Sequence, residues 1–461
     1  MNRLRSYVHR KAWAHFQSAL FYVAFMSLTA TIFYLAANYT SEQTEQYQVI
    51  RLVMFAILYP LLVKISIQLI AALLYSPIEK VRYQRRVDKR LPRVSVVVPA
   101  WNEEVGIIKT IESVVNARYA NFELIVVNDG STDRTHELVT HYIKQHNASD
   151  KTKGHPLIKY LKLANGGKAT AMNKALSIAD GDIMITIDAD SIMDPYAIRH
   201  FVDSFTDEKV AGVAGNVIVA NRNKPLELLQ QLEYLYGFFF KRADSVFNSV
   251  YIIGGAAAAY RTEVIKELGG FDESIITEDI ELSVRLLNAG YKTRYAAKSV
   301  VYTEGPSEWS GLCKQRLRWK FGRLQTFIKH KNLFFSPDKK HPMYLSWLLF
   351  PLALYSELLL LFEAVLVGFF FFYTIMTFDY LPMVFVILFL TSLVSLQIAL
   401  DSKARFHLNL LTLTPIAWVL FYAVDIVELQ ALVRSLKRMI TKQSLAWQKW
   451  NRAGIASAPV Q

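Results

Sequence analysis

The chain of 461 residues contains a single cysteine, Cys313. No intramolecular disulfide is possible, and neither is a cysteine-based zinc cluster. Charge is scarce as well. Asp, Glu, Lys and Arg together make up 20%, against about 25% in ordinary soluble domains. Hydrophobic residues reach 52% and mean hydropathy is +0.20, which excludes intrinsic disorder and argues against a wholly soluble protein. Internal repeats, low-complexity tracts and long linkers are missing. So are a Walker A loop and a GxGxxG fingerprint, which leaves ATPase and dinucleotide-binding readings without support. Present in excess is positive charge: Lys plus Arg number 52, Asp plus Glu 39, a net charge of +13. Such an excess suits nucleic acid, anionic lipid or a phosphorylated substrate. Aromatic residues, at 13%, suit membrane interfaces and sugar-binding surfaces alike.

Five stretches approach the roughly 20 apolar residues of a spanning helix: 16–37, 49–74, 344–373, 381–400 and 408–433. Between the second and third runs a block of soluble composition, 75–343. The start MNRLRSYVHRK is basic, the loop 38–48 carries Glu42 and Glu45 but no Lys or Arg, and EKVRYQRRVDKRLPR follows the second stretch. Positive flanks stay inside, so the N-terminus and the middle block are expected on the cytoplasmic side. Three further spans would leave the tail outside, whereas Arg434, Lys437, Arg438 and Lys442 argue for inside. An interfacial placement of one stretch, or an interfacial helix plus a span within 344–373, would reconcile the two, and both remain open. The basic residues at 82–93 and 434–442 border spans, so anionic lipid explains them better than nucleic acid. Glu357, Glu363, Asp425 and Glu428 lie among apolar residues. A lipid-facing charge costs about 3 kcal/mol or more, so they are expected to face protein or a polar channel.

The middle block reads as α/β. VSVVV (94–98), FELIVV (122–127) and IMITI (183–187) are short apolar runs of the kind a buried parallel strand shows, and IKYLKL (158–163) alternates. Helical patterns lie between them, the second capped by Ser131 or Asp133. Such alternation implies βαβ units and a mainly parallel sheet, with ligands beyond the carboxyl ends of the strands. That is where the polar motifs fall. PAWNEE (99–104) and NDGSTD (128–133) each follow a strand and can read a base and ribose by hydrogen bonds; turn chemistry is the alternative. ANGGKATAMN (164–173) sets two glycines and Lys168 at a helix start, suited to a phosphate. DAD (188–190) supplies two carboxylates, hard oxygen ligands for Mg²⁺ or Mn²⁺ completed by a diphosphate and water. TED (277–279) opens a helix with Thr277 at its N-cap and Gly290 beyond its C-terminus; complementing the helix dipole is the plainer role for Glu278 and Asp279. QRLRW (315–319) lies in a basic, aromatic helical stretch, and 225–247 reads as a second interfacial helix.

The ordered set PAWNE, NDGS, GGKA, DAD, GGFDE-x4-TED and QRLRW, flanked by apolar spans, resembles the processive, membrane-embedded family 2 glycosyltransferases from about residue 50 to 452. The layout is most similar to the bacterial poly-N-acetylglucosamine (poly-β-1,6-GlcNAc) synthases of biofilm exopolysaccharide. Hyaluronan and chitin synthases share TED and QxxRW; a cellulose synthase would need a further C-terminal domain. The resemblance implies a cytosolic GT-A type domain of mainly parallel sheet, flanked by transmembrane and amphipathic interface helices. It divides the chain into two N-terminal spans (1–75), the GT-A domain (76–305), interface helices with QRLRW (306–343), a C-terminal transmembrane region (344–433) and a basic tail (434–461). It implies a multi-pass inner-membrane enzyme that takes a UDP-sugar, UDP-N-acetylglucosamine by the nearest branch, and extends a growing polysaccharide among membrane lipids. A small membrane partner subunit fits this scheme; nucleic acid has no part in it. Carried over, Pro99, Glu103 and Asp129 would hold uridine, and Lys168, Asp188 and Arg318 the diphosphate. Asp190, with Asp188, would bind Mg²⁺ or Mn²⁺. Asp279 would be the base, with Glu278 beside it raising its pKa. Gln315 and Trp319 would engage the acceptor sugar. An inverting displacement gives a β-linkage. A non-processive enzyme loading a lipid carrier, and a channel with a degenerate domain, are the rival readings.

Overall fold

The computed structural model describes residues 44–84, 91–148 and 156–445, with Ser27, Thr31, Tyr34, Trp450, Arg452, Gly454 and Ile455. The expected span at 16–37 lies almost wholly outside the described residues. In chain order the elements are α1 (Thr44–Gln84), β1 (Val94–Ala100), α2 (Ile107–Val115), β2 (Phe122–Asp129), α3 (Thr135–Ala148), β3 (Leu157–Leu163), α4 (Lys168–Ile178), β4 (Ile183–Thr186), β5 (Ile192–Met193), α5 (Ala197–Ser204) and β6 (Val210–Val219). There follow α6 (Pro225–Val246), β7 (Ala258–Arg261), α7 (Thr262–Glu267), α8 (Glu278–Asn288), β8 (Lys292–Thr303), α9 (Trp309–Lys329), α10 (Phe350–Thr377), α11 (Leu381–Leu400) and α12 (Ala417–Ile440).

Two compact units result. One holds Met1–Tyr59 and Phe362–Ala423, the other Pro60–Leu361 and Val424–Gln461. Among the described residues four helices are long and apolar enough to cross a membrane: Leu52–Gln84, Tyr344–Thr377, Leu381–Leu400 and Ala404–Ile440. The last begins as a 3₁₀ stretch, Ala404–Ile416, interrupted by Pro415, whose missing N–H and ring disfavour a regular α-helix.

The second unit carries an eight-stranded sheet in the order β3-β2-β1-β4-β7-β6-β8-β5. The parallel expectation holds for β3-β2-β1-β4 and for β6 beside β8. β7 runs antiparallel to both its neighbours and β5 antiparallel to β8, so the sheet is mixed. β7 grows out of the Ala-rich segment 254–260. Its small side chains pass between β4 and β6 with Ala258, Ala259 and Tyr260 fully buried.

The sheet is buried on both faces, which is why its strands read as unbroken apolar runs. Val94, Val96 and Val98 join one core with Ile107, Ile111 and Phe201. Val97, Ile125 and Val127 join the other with Met172, Leu176 and Leu282. Strand side chains alternate between faces, so each strand closes both cores and fixes where its polar end emerges. α6 packs one side into the second unit, with Leu229, Leu232, Leu235, Phe239 and Ala243 buried. Asp133, not Ser131, caps α3, its Oδ1 accepting the Thr135 N–H at 3.0 Å.

Ile185 is fully buried on β4, paired with Val96 on β1 and Ala259 on β7. Ile185→Ala should destabilise the protein by about 2–5 kcal/mol. Leu157→Ala, at an exposed position of edge strand β3, should cost far less. Thermal unfolding of the two variants in the same detergent checks the contrast.

Candidate active site

The site forms where strands stop. β1 and β2 are paired up to Ala100 and Asn128, which sets the segment 101–104 beside 129–133. Pro99 sits inside β1, opposite Val127. The Asn102 N–H donates to Ser131 Oγ at 2.9 Å, the Glu103 N–H to Thr135 Oγ1 at 2.8 Å, and Asn102 Oδ1 accepts the Thr132 N–H at 2.7 Å. These bonds hold two strand-end loops as one surface, with the Glu103 side chain buried in it. Asp129 is also buried, and its two carboxylate oxygens accept the N–H groups of Gly166 and Gly167, each at 2.9 Å. The carboxylate expected at the uridine therefore shapes the glycine loop that presents Lys168.

Lys168 is the centre of the cluster. Its Nζ lies 2.6 Å from Asp188 Oδ1 and 3.6 Å from Glu278 Oε1. One ammonium thus joins DAD to TED across the sheet. Burial alone would lower the Lys168 pKa, but Asp188, Glu278 and Asp279 outweigh it and hold the amine charged. Burial alone would raise Asp188, and Lys168 overrides it, keeping this carboxylate below its usual range. For Glu278 burial wins: with the Asp279 charge adding to it, and against Lys168, the carboxyl is pushed up to about 7. The deep burial of the Glu278 side chain is the main cause of that rise.

Asp279 is half-buried, and its Oδ2 accepts the Gly255 N–H at 2.7 Å and its Oδ1 the Ile280 N–H at 2.9 Å. A Cβ at Gly255 would stand 2.8 Å from Lys168 Nζ, so a larger residue would push the ammonium out of place. Thr277 does occupy the N-cap position of α8, yet its hydroxyl makes no cap bond. Gly290 follows the helix with φ +90°, as a C-terminal glycine should.

α9 brings QRLRW to this cluster. It approaches the TED segment so closely at Gly322 that a Cβ there would lie 2.0 Å from Thr277 Oγ1. Burial pulls the Arg318 pKa below its ordinary value, against the raising pull of Glu278, Asp188 and Asp279. Gln315 is buried, and its Oε1 has no hydrogen-bond partner among the described residues. Trp319 is half-buried, 6.4 Å from Tyr234 between ring centres. The Arg316 guanidinium lies 4.5 Å over the Trp319 ring while making a bidentate pair with Glu233 at 2.6 and 2.7 Å. Lys320 pairs with Glu357 at 2.8 Å and with Glu428 at 2.6 Å, and Arg323 pairs with Glu357. Two of the four acids expected to avoid lipid therefore meet α9.

Asp190 is 8% exposed and accepts the Ser191 hydroxyl at 3.1 Å. Among the described residues no three His, Cys, Asp or Glu side chains form a ready-made metal cage. Two hard carboxylates at a strand end still fit Mg²⁺ or Mn²⁺, which keep water and phosphate oxygens as ligands. Asp190 also accepts positive charge in this structure, because Arg452 pairs with it and, at 3.3 Å, with Glu103. The sequence reading missed Arg452 and its neighbour Trp450, recording the tail only as basic. The available signal was a tryptophan two residues before an arginine.

The description "Glycosyl transferase family 2" matches residues 95–269, and "Glycosyl transferase family group 2" matches residues 183–424, more than half of the chain. "Probable glycosyltransferase YdaM" of Bacillus subtilis (strain 168) is 27% identical over 374 residues, 79% of this chain and 88% of the relative. The poly-beta-1,6-N-acetyl-D-glucosamine synthase of Staphylococcus aureus (strain COL) is 31% identical over 260 residues, 55% of this chain and 60% of that protein. Its Staphylococcus epidermidis counterpart is 26% identical over 60% of this chain and 66% of its own length. The chain thus spans less than two thirds of these synthases. Among solved structures, a mannosyltransferase from Pyrobaculum calidifontis in complex with GDP-Man and Mn²⁺ superposes with a TM-score of 0.53 at 20% identity. That superposition covers 84% of this chain and all of the mannosyltransferase. The shared fold is GT-A-like.

The raised Glu278 carboxyl makes stability depend on pH. Between the ordinary glutamate pKa and about 7 the folded protein binds a proton that the unfolded chain releases. Stability therefore falls as pH rises through that window. Glu278→Gln removes this group from titration and should flatten the slope. Thermal midpoints of both proteins from pH 5 to 8 check it: equal slopes would contradict the assignment.

Proposed function

The chain belongs to the family 2 glycosyltransferases, and on that premise we propose that it builds a β-linked polysaccharide from a UDP-sugar, UDP-N-acetylglucosamine in the first instance. The relatives that support this sugar are the two staphylococcal synthases. One observation carries the reading: Lys168 bridges Asp188 and Glu278, so the donor-end motifs and the TED motif form a single charged cluster.

In this reading Glu103 and the backbone around Asp129 receive the uridine, with Pro99 shaping the strand end. Lys168 and Arg318 face the diphosphate, and Gln315 and Trp319 face the acceptor sugar. Asp279 takes the proton of the attacking hydroxyl, as a carboxylate within hydrogen-bond reach can. Its two oxygens each hold one backbone N–H, which fixes the carboxylate while leaving a lone pair on each. Glu278, pushed up to about 7, is partly protonated near neutral pH and so lightens the negative charge of the pocket while a nucleotide diphosphate is bound. Lys168 and Arg318 stabilise the charge that develops on the departing UDP. A divalent cation held by Asp190 and Asp188 would add the same stabilisation as a Lewis acid; the fold neighbour's complex with Mn²⁺ supports this. Direct displacement inverts the anomeric centre.

The apolar helices support a multi-pass protein of the inner membrane with the catalytic unit in the cytosol. The ion pairs of Glu357 and Glu428 with α9 support an acceptor end that opens towards the spans, through which the polymer would pass. Gln315, with its unpartnered buried Oε1, offers a hydrogen-bond acceptor to a sugar hydroxyl there.

Asp279→Asn keeps size but cannot take a proton. Polymer yield should drop by about 10²–10⁴-fold, while UDP-sugar binding by the same folded sample persists. Near-normal yield would remove Asp279 from the mechanism, and products one sugar long from the wild type would replace processive synthesis by single transfer.

A further inference from the structure

The motif GGFDE (269–273) precedes TED in the sequence, and none of its residues has a role in binding donor or acceptor. In the structure it forms the turn that follows α7. Gly269 and Gly270 take φ +87° and +77°, a left-handed backbone open to glycine. Two side chains grip this turn. Asn173 on α4 pairs with Phe271 through both ends of its amide: the Phe271 N–H donates to Asn173 Oδ1 at 2.7 Å, and Asn173 Nδ2 donates to the Phe271 carbonyl at 2.9 Å. A Cβ on Gly270 would stand 2.5 Å from Asn173 Oδ1, so so close an approach requires glycine. Arg285 on α8 donates from its two terminal nitrogens to the carbonyls of Leu268 and Gly270, at 2.5 and 2.6 Å.

A third grip comes from the end of α9. Glu281 on α8 is fully buried and lies 2.8 Å from Arg285, 2.7 Å from Lys329 Nζ and 3.0 Å from His330 Nε2. Lys329 also pairs with Asp272 of the turn. Burial alone would raise the Glu281 carboxyl; His330, Lys329 and Arg285 override it and hold it below its usual range. Each gripping helix carries part of the candidate active site. α4 begins at Lys168, α8 begins at Glu278 and Asp279, and α9 contains QRLRW. Asn173 and Arg285 lie within two helical turns, of about 3.6 residues each, of the groups their helices present. Over so short a span a helix passes a displacement on, so the grip at the turn is a grip on Lys168 and Asp279.

We propose that the Leu268–Asp272 turn is the alignment point of the active site, with Asn173 and Arg285 as positioning residues. They set Lys168, at the diphosphate, against Asp279, at the attacking hydroxyl. The proposal rests on those roles of Lys168 and Asp279, and the test separates the two. The transition state needs both groups in place at once, whereas UDP alone needs only the donor side. A misplacement of about 1 Å that arises far from the chemistry can cost about 10²-fold in rate.

The test uses the full-length protein in detergent with Mn²⁺ and UDP-N-acetylglucosamine. It reads UDP release at saturating donor beside calorimetric UDP binding by the same folded sample. Asn173→Ala frees Phe271 and should lower kcat by about ten- to hundredfold, while UDP affinity stays at the wild-type value. Arg285→Lys keeps a charge beside Glu281 but loses the fork across two carbonyls, and should act in the same way. Val94→Ala, a core truncation at the far end of β1, controls for stability: its thermal midpoint should fall while kcat per folded molecule stays at the wild-type value. Should Arg285→Lys fail to fold, Asn173→Ala decides alone, because Asn173 is only half-buried and its loss strands no charge. Wild-type kcat in Asn173→Ala, with Asp279→Asn still inactive, overturns the positioning role and leaves the reading of Asp279 standing. UDP affinity that falls in step with kcat overturns it too, since the turn would then serve the donor site or the fold as a whole. Normal turnover by Asp279→Asn, or none by the wild type, overturns the reading of the site and the alignment role with it.

Discussion

Everything in the candidate site hangs on one buried ammonium. Lys168 stands between Asp188 and Glu278, with Asp279 held next to it on the Gly255 N–H. Three carboxyls brought this close could not all stay charged in a poorly solvated pocket. The lysine holds the Asp188 carboxyl below its usual range, and burial pushes Glu278 up to about 7. The glycine loop that aims Lys168 is fixed from the other side by Asp129, which holds two consecutive N–H groups. Removing either support would leave unbalanced charge inside the sheet, a costlier defect than the loss of a surface ion pair.

Around that centre the fold solves a problem of assembly. Four motifs come from strand ends, where a doubly covered sheet releases its chain. TED and QRLRW come from helices that pack against them. Gly322 permits α9 to touch Thr277, and the pairs of Lys320 and Arg323 with Glu357 bind the far side of α9 to α10. A single helix therefore links the Lys168 cluster to α10. Arg316 anchors to Glu233 on α6 while covering Trp319, so the placement of that aromatic ring is tied to an ion pair.

Much of this was legible in the sequence. The runs at Val94, Phe122 and Ile183 announced buried strands because both faces of the sheet are covered. The polar motifs announced a site because each follows such a run. Three features were not legible. β7 was hidden because an alanine-rich segment carries little strand signal. The raised pKa of Glu278 was hidden because its main cause is depth of burial, which no local sequence pattern displays. Arg452 was hidden because its partners, Glu103 and Asp190, lie hundreds of residues away in the chain, and no local pattern marks such a contact.

The central claim is that the Lys168 cluster receives a nucleotide diphosphate. Calorimetric titration of UDP into folded wild type and Lys168→Met, with Mn²⁺ present, tests it most directly. A charged hydrogen bond is worth about 1.5–3 kcal/mol, so the variant should bind UDP about tenfold or more weakly. Equal affinity for UDP in the two proteins would contradict the account.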